Sequence, residues 1–377
     1  MFKFWQRREK FLILQISPQK TKGLLLSLDK EKKLKPEKLR DDLSLAELQE
    51  TSVQRLRKYN VICAADSSLA TTLSFPVELK RGLDEAERPI ASIELENLLS
   101  QSVGRLFSQE RKEASSRLKV DELDTVLVGS AAQNFKIDGH TVLNPIGFCG
   151  RNVEAVMELI FTTRRIFDGL KRFFSNPTNF FFTETARAVL FSLSKVQSLP
   201  VNLMIFSPKD ALCFILDRAA WGNVVYRDKI NWPRESIFEA ITRELEVSRA
   251  VAADLYRSYL KHEMSDNFKR AFGKIIKPPT DLLLRLLKKS KFRGNVYFYS
   301  LIPLPLSLPA RLDRIVLEEL PLSRFMDKTG FKLDLSGWPL PEKEIFLRLA
   351  PFFEFYYQKS ETEVNKKLHR CIHWLIQ

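Results

Sequence analysis

His369, Cys371 and His373 are the residues whose spacing first suggests chemistry. Two imidazoles at i and i+4 share one helical face, the interval that zinc ligands use. No acidic or cysteine partner at a customary interval accompanies them, so no metal site is assigned. Asp138-Gly139-His140 sets a carboxylate beside an imidazole, but no motif places a serine or cysteine nucleophile with them. Glycine-rich phosphate loops are absent: the chain contains no GxxxxGK[ST], no GxGxxG and no GxSxG. Its 13 glycines in 377 residues are about half the usual ~7% share, and loops that let backbone amides close on an anion need that residue. No catalytic residue is assigned.

The elements that must carry any site are easier to read. Leu95, Leu98, Leu99, Val103, Leu106, Phe107, Ala114 and Leu118 recur at three- and four-residue steps and predict a long helix. Val126 to Val128 leads into a hairpin in which Phe135, Ile137, Val142 and Leu143 flank Asp138-Gly139, a pair suited to a type I′ turn. Val153 to Phe161 then reads as a further apolar strand. Elsewhere, Leu14 to Lys20 and Met204 to Asp210 echo each other as strand, Ser-Pro turn, strand. Asp29 to Asp42 reads as an exposed loop and Leu43 to Tyr59 as a helix. Strands are expected at Val61 to Asp66, Ala70 to Leu79, Cys213 to Leu216, Asn223 to Arg227 and Asn295 to Leu301. Helices are expected at Glu184 to Lys195, from Glu235 through Tyr259, and at Pro279 to Lys289.

Composition bounds the rest. At 45% hydrophobic the chain can bury a sizeable core in two or more units. Its four cysteines, Cys63, Cys149, Cys213 and Cys371, lie far apart and form no CxxC pair, so a reduced, cytoplasmic chain is expected. No apolar run approaches the ~20 residues that span a bilayer. The net charge of +14 favours anionic partners. Tyr256 to Ser300 holds eleven Lys or Arg against three Asp or Glu, and residues 1 to 42 hold twelve against six. Nucleic acid, an anionic membrane and an acidic protein all fit such patches, as does plain solvation of a chain with 28 phenylalanines. Phe2, Phe4 and Trp5 interleave with cations at the start, and Leu368, Ile372, Trp374 and Leu375 lie in an amphipathic segment at the end. Each is a candidate for membrane or partner contact, or for docking on the chain itself.

The helix, hairpin and strand between residues 93 and 168 resemble the small α+β domain inserted into the bacterial actin-like proteins FtsA and PilM, FtsA more closely. The resemblance extends over residues 10 to 330. It implies an α/β, two-lobed actin-like fold, an RNase H-like repeat, with an inserted SHS2-type domain. The first lobe would take residues 1–88, with 169–195 and about 331–377 returning to it. The insert would take 89–168, and the second lobe 196–330. In that family the turns of the two hairpins carry an Asp-hydrophobe-Gly pattern that grips nucleotide phosphates and metal. Here Gln15 and Ile205 stand at the aspartate positions, and Ser17 and Ser207 at the glycines. Trp232-Pro233 replaces the glycines ahead of the helices that follow the second hairpin. Ser300-Leu301 ends the strand after which an adenosine-contacting Gly-Gly is usual.

The expectation is therefore a scaffold without ATPase chemistry, binding ATP and magnesium weakly at best. The resemblance implies protein partners in a cell-division or pilus-type assembly, self-association, and a place at the inner face of the cytoplasmic membrane. Two alternatives stay open. One is an active ATPase drawing on Asp210 or Asp217, and the other a nucleic-acid-binding protein using residues 256–300.

Overall fold

A computed structural model describes residues 8–44, 47, 58–174, 180–206, 210–219, 222–233, 235–300, 308–334, 338, 340–358, 365 and 368. The chain divides into two compact units, one of residues 1–198, 218–224 and 322–377, the other of 199–217 and 225–321.

The first unit is organised on a six-stranded sheet. Its strands are β1 (Glu9–Ile16), β2 (Thr21–Leu28), β3 (Lys33–Leu43), β4 (Asn60–Ala65), β9 (Phe180–Glu184) and β16 (Lys332–Leu333), in the order β16-β3-β2-β1-β4-β9. β1 to β3 form an antiparallel meander, while β1, β4 and β9 run parallel. Residues 11–14 of β1 are all buried because both faces of the sheet are covered. One face packs on the helix Glu342–Gln358 (α8 below), where Phe11 meets Phe352 edge-on at 4.9 Å. The other carries Leu12, Leu14 and Cys63 against Phe167, Leu170 and Phe174 of the helix Arg164–Phe174 (α2).

β3 corrects the expected loop at residues 29–42. Its charged composition suits a loop, but it pairs with β2 from Leu28↔Leu34 to Thr21↔Leu43, and Leu34 is fully buried. The ladder and one anchoring leucine outweigh local polarity. The tight turn before it is made by Asp29, whose carboxylate accepts from the amides of Glu31 and Lys33. The helix expected over 43–59 lies almost wholly outside the described residues.

The insert is a four-stranded antiparallel sheet, β5 (Ala70–Lys80), β6 (Thr125–Ile137), β7 (His140–Thr141) and β8 (Asn152–Thr163), ordered β5-β8-β6-β7. The helix Ser92–Leu118 (α1) lays Leu95, Leu99, Val103 and Leu106 on it. Lys119, in the left-handed conformation, ends that helix and donates its amide to Ser115 and Ser116. Asp138 and Gly139 both take positive φ between the paired Ile137 and His140, as a type I′ turn requires. β5 pairs with β8 along its whole length, so the sheet begins at residue 70 and not at 89. Arg81 fastens this boundary: it is 4% exposed and donates to Glu94 and to the carbonyls of Arg88 and Gly150.

The second unit repeats the first sheet's plan in five strands, with its sixth strand on the opposite edge. β10 (Val201–Phe206), β11 (Ala211–Ala219), β12 (Gly222–Ile230), β13 (Gly294–Ser300), β14 (Arg311–Leu312) and β15 (Ile315–Glu319) are ordered β12-β11-β10-β13-β15-β14. β10 is antiparallel to β11 and parallel to β13, which is parallel to β15. Helices α4 (Glu235–Leu245), α5 (Arg249–Leu260) and α6 (Asp266–Lys289) cover it around Trp232, Phe238, Tyr256, Phe272 and Leu283. Helix α3 (Thr185–Ser194) follows β9, and α7 (Leu322–Thr329) and α8 (Glu342–Gln358) complete the first unit. The sequence reading gave α7 to the second lobe, but Phe325 packs on Phe346 and Phe353 of α8 and so belongs to the first.

Candidate functional site: the carboxyl ends of the parallel strands

In open α/β sheets ligands are bound beyond the carboxyl ends of parallel strands. In the first unit those ends lie in one register: Ile16 opposite Ala65, and Ala65 opposite Glu184. Ser17, Asp66 and Glu184 therefore stand along one edge.

Each is engaged locally. Ser17 closes the turn into β2: its amide and its hydroxyl both donate to the Lys20 carbonyl, at 3.0 and 2.7 Å. Its Oγ in turn accepts from the Lys20 amide. The Asp66 carboxylate accepts from the amide and hydroxyl of Ser68. Gln15, one residue back from the edge, turns its amide to the Leu347 carbonyl at 2.6 Å. The first turn thus presents hydroxyl and amide groups but no carboxylate, and Gln15 is held by the chain's own helix.

At the corresponding edge of the second unit the described residues of the strands are more apolar. Ile205 is 2% exposed and paired with Leu212 and Tyr299. Ser300, opposite Phe206, is half-buried. Trp232 does not fill an open pocket: its indole is wholly buried in the unit's core, edge-on to Phe206, and donates to the Pro279 carbonyl at 2.8 Å. Pro233 is exposed, and its carbonyl accepts from the amide and hydroxyl of Ser236 to open α4. Asp210, 6% exposed, pairs with Lys229 at 3.1 Å. Ser207 and Leu301 lie outside the described residues, as do Phe2, Phe4, Trp5, Ile372, Trp374 and Leu375.

Of the alternatives open for the terminal segment, Leu368 takes docking on the chain itself. It is 1% exposed and packs in the apolar core of the insert. Asn365 beside it accepts from the Ala132 amide at 2.9 Å. The insert offers an apolar slot, and burying the leucine there removes it from water.

The sequence reading missed a buried ionic cluster behind the first edge. Arg187 of α3 bonds Glu158 of β8 at 2.6 Å and also Glu354 of α8. Glu354, wholly buried, accepts from Thr183 at 2.7 Å. Next to Thr183, Glu184 accepts from the Thr72 amide at 2.7 Å, while its Oε1 is buried without a hydrogen-bond partner. Thr183-Glu184-Thr185, a polar trio between apolar runs, was the available signal for Glu184. The partners of Arg187 lie too far off in sequence to leave one.

Two thiols are unsuited to chemistry. Burial raises the Cys63 thiol well above its ordinary range and pushes Cys213 up to about 12. Among the described residues no group of three or more His, Cys, Asp or Glu side chains is placed to hold a metal ion.

The strand order of both sheets defines an actin-like α/β fold. No protein-family model matches the sequence, and no curated protein matches it. Among solved structures the chain is similar to a PilM–PilN type IV pilus biogenesis complex, at 12% identity and a TM-score of 0.46, over 97% of this chain and 99% of that one. It is also similar to a Bacteroides thetaiotaomicron protein with an actin-like ATPase fold and unknown function, at 10% identity and a TM-score of 0.38, over 88% and 98%. An archaeal actin homologue is similar at 12% identity and a TM-score of 0.24, over 47% and 57%.

Proposed function

We propose that the chain is a non-catalytic, actin-like scaffold. It works through protein contacts in a cell-division or pilus-type assembly, peripheral to the inner face of the cytoplasmic membrane. The assembly rests on the sequence resemblance to FtsA and PilM, and the loss of catalysis on the first hairpin. Phosphoryl transfer is catalysed by positioning and by metal-borne neutralisation of charge. Gln15 carries no charge and is bonded to Leu347, and Ser17 is spent on its own turn. Those residues do not fit a nucleotide–magnesium site.

One observation favours the rival reading, an active ATPase. Glu184 brings a buried carboxylate oxygen without a partner to the carboxyl edge. Purified protein assayed for phosphate release with magnesium and ATP decides between them. We expect no turnover above a heat-denatured control. Saturable, magnesium-dependent turnover abolished by Glu184→Gln or Asp210→Ala would establish the ATPase.

A further inference from the structure

Helix α6 carries an unusual solvent face. At about 100° per residue, Arg270, Lys274, Lys277, Arg285 and Lys288 fall within a stripe about 80° wide and about 27 Å long. All five are exposed. The stripe lies opposite the buried side, where Phe272, Ile276, Leu283 and Leu287 enter the core. Among the described residues none of the five has a side-chain ion pair or hydrogen bond, and the one acid on the stripe is the half-buried Asp281.

Helix stability does not account for this pattern. Cations near the last turn are favoured by the helix dipole, which covers Lys288 and Lys289 but gives Arg270, Lys274 and Lys277 nothing. Arg270–Lys274, Lys274–Lys277 and Arg285–Lys288 are like-charge neighbours at i+4 or i+3, an arrangement that weakens a helix. Between Arg270 and Lys288 five cations face only Asp266 and Asp281 at helical spacing, and a surface keeps such an excess when its counter-charge is supplied by a partner.

The border of the stripe selects among anionic partners. Along one flank Ala271, Pro278 and Leu282 are exposed, with Phe268 beyond them; Leu282 is 37% and Phe268 39% exposed. Cations beside a shelf of exposed apolar side chains match the interface of a bilayer, where headgroup phosphates meet acyl chains. Nucleic acid would instead be served by amides and stacking rings interleaved with the cations; here a single amide, Asn267, stands at the start of the stripe, and the Phe268 ring lies with the apolar flank. We infer that the α6 crest is a docking surface for an anionic membrane leaflet. The contact is peripheral, since no helix among the described residues is long and apolar enough to cross a bilayer. This deepens the membrane part of the proposed function and moves the contact from the termini to α6.

The test is co-sedimentation of the full chain with vesicles of phosphatidylglycerol in phosphatidylcholine, beside vesicles of phosphatidylcholine alone. The variants are Lys274→Glu/Lys277→Glu/Arg285→Glu together, Leu282→Ser alone, and a chain trimmed of residues 1–7 and 369–377. Exposed side chains are changed, and thermal melts check that each variant folds. We expect selective pelleting with the anionic vesicles, weakened roughly 100-fold by the triple change and about fivefold by Leu282→Ser. The trimmed chain should bind within about twofold of the parent. A triple variant that pellets like the parent, or a trimmed chain that no longer pellets, overturns the α6 assignment and leaves a peripheral scaffold standing. Absence of pelleting by the parent overturns both membrane readings. A DNA duplex bound without vesicle binding, and released by the same triple change, would assign the crest to nucleic acid instead.

Discussion

Arg187 is the single guanidinium between Glu158 and Glu354, with all three side chains at most 8% exposed. Removing one member of a buried charge network leaves its partners without compensation, which costs about 3–5 kcal/mol. Arg187→Ala is therefore expected to lower the unfolding free energy by roughly that amount in urea titration. A loss below about 1 kcal/mol would show that water replaces the guanidinium. Thr183 and Gln358 also donate to Glu354, so Glu158→Gln should be milder than loss of the arginine. None of this was legible in the sequence. Three charged residues on separate elements carry no periodic or motif signal, and only the fold brings them together.

Among the elements, the insert shows most plainly what sequence can supply. The apolar period of α1 and the Asp138-Gly139 pair are local properties, and both match the structure. The start of the insert was not local. β5 is defined by its pairing with β8, some eighty residues away, and β3 likewise by its ladder to β2. Arg81 and Glu94 close the β5–α1 junction and supply a pH test. The Arg81 hydrogen bond holds the Glu94 carboxyl below its ordinary value of 4.5, helped by the Ala91 amide. A carboxyl depressed by folding contributes stability above its unfolded pKa and loses it as pH falls through the folded one. Glu94→Gln should thus cost about 1–2 kcal/mol near neutral pH, with the difference from the parent shrinking below about pH 4. A cost that does not change with pH would mean that shape, not charge, holds the junction.

At the scale of the molecule, five strands of each sheet share one order, while the carboxyl edges differ in chemistry. The first presents Ser17, Asp66 and Glu184; among the described residues the second holds Ile205, a half-buried Ser300 and Asp210 paired with Lys229. The fold was legible because hairpin and strand patterns survive changes of the residues that serve a ligand. The site was legible only through the resemblance, which marks Gln15, Ser17 and Ile205 as the positions to inspect. A ligand that binds the native state raises its stability by RT ln(1 + [L]/Kd). Magnesium and ATP at about 1 mM should shift the melting temperature by less than about 1 °C, because no carboxylate stands on the first turn. A shift of several degrees would show that the edge binds nucleotide by another arrangement.

Leu368 and Asn365 also bear on how the chain is made. The insert's strands and long helix leave the ribosome early, and the leucine that enters their apolar core follows Thr163 by about 200 residues. At translation speeds of about 5–20 residues per second, that slot stays open for roughly 10–40 s in every nascent chain. During synthesis the insert therefore exposes apolar surface that its own late-arriving segment must cover. That interval is when a chaperone, or the same slot's neighbour on a polysome, can compete for it.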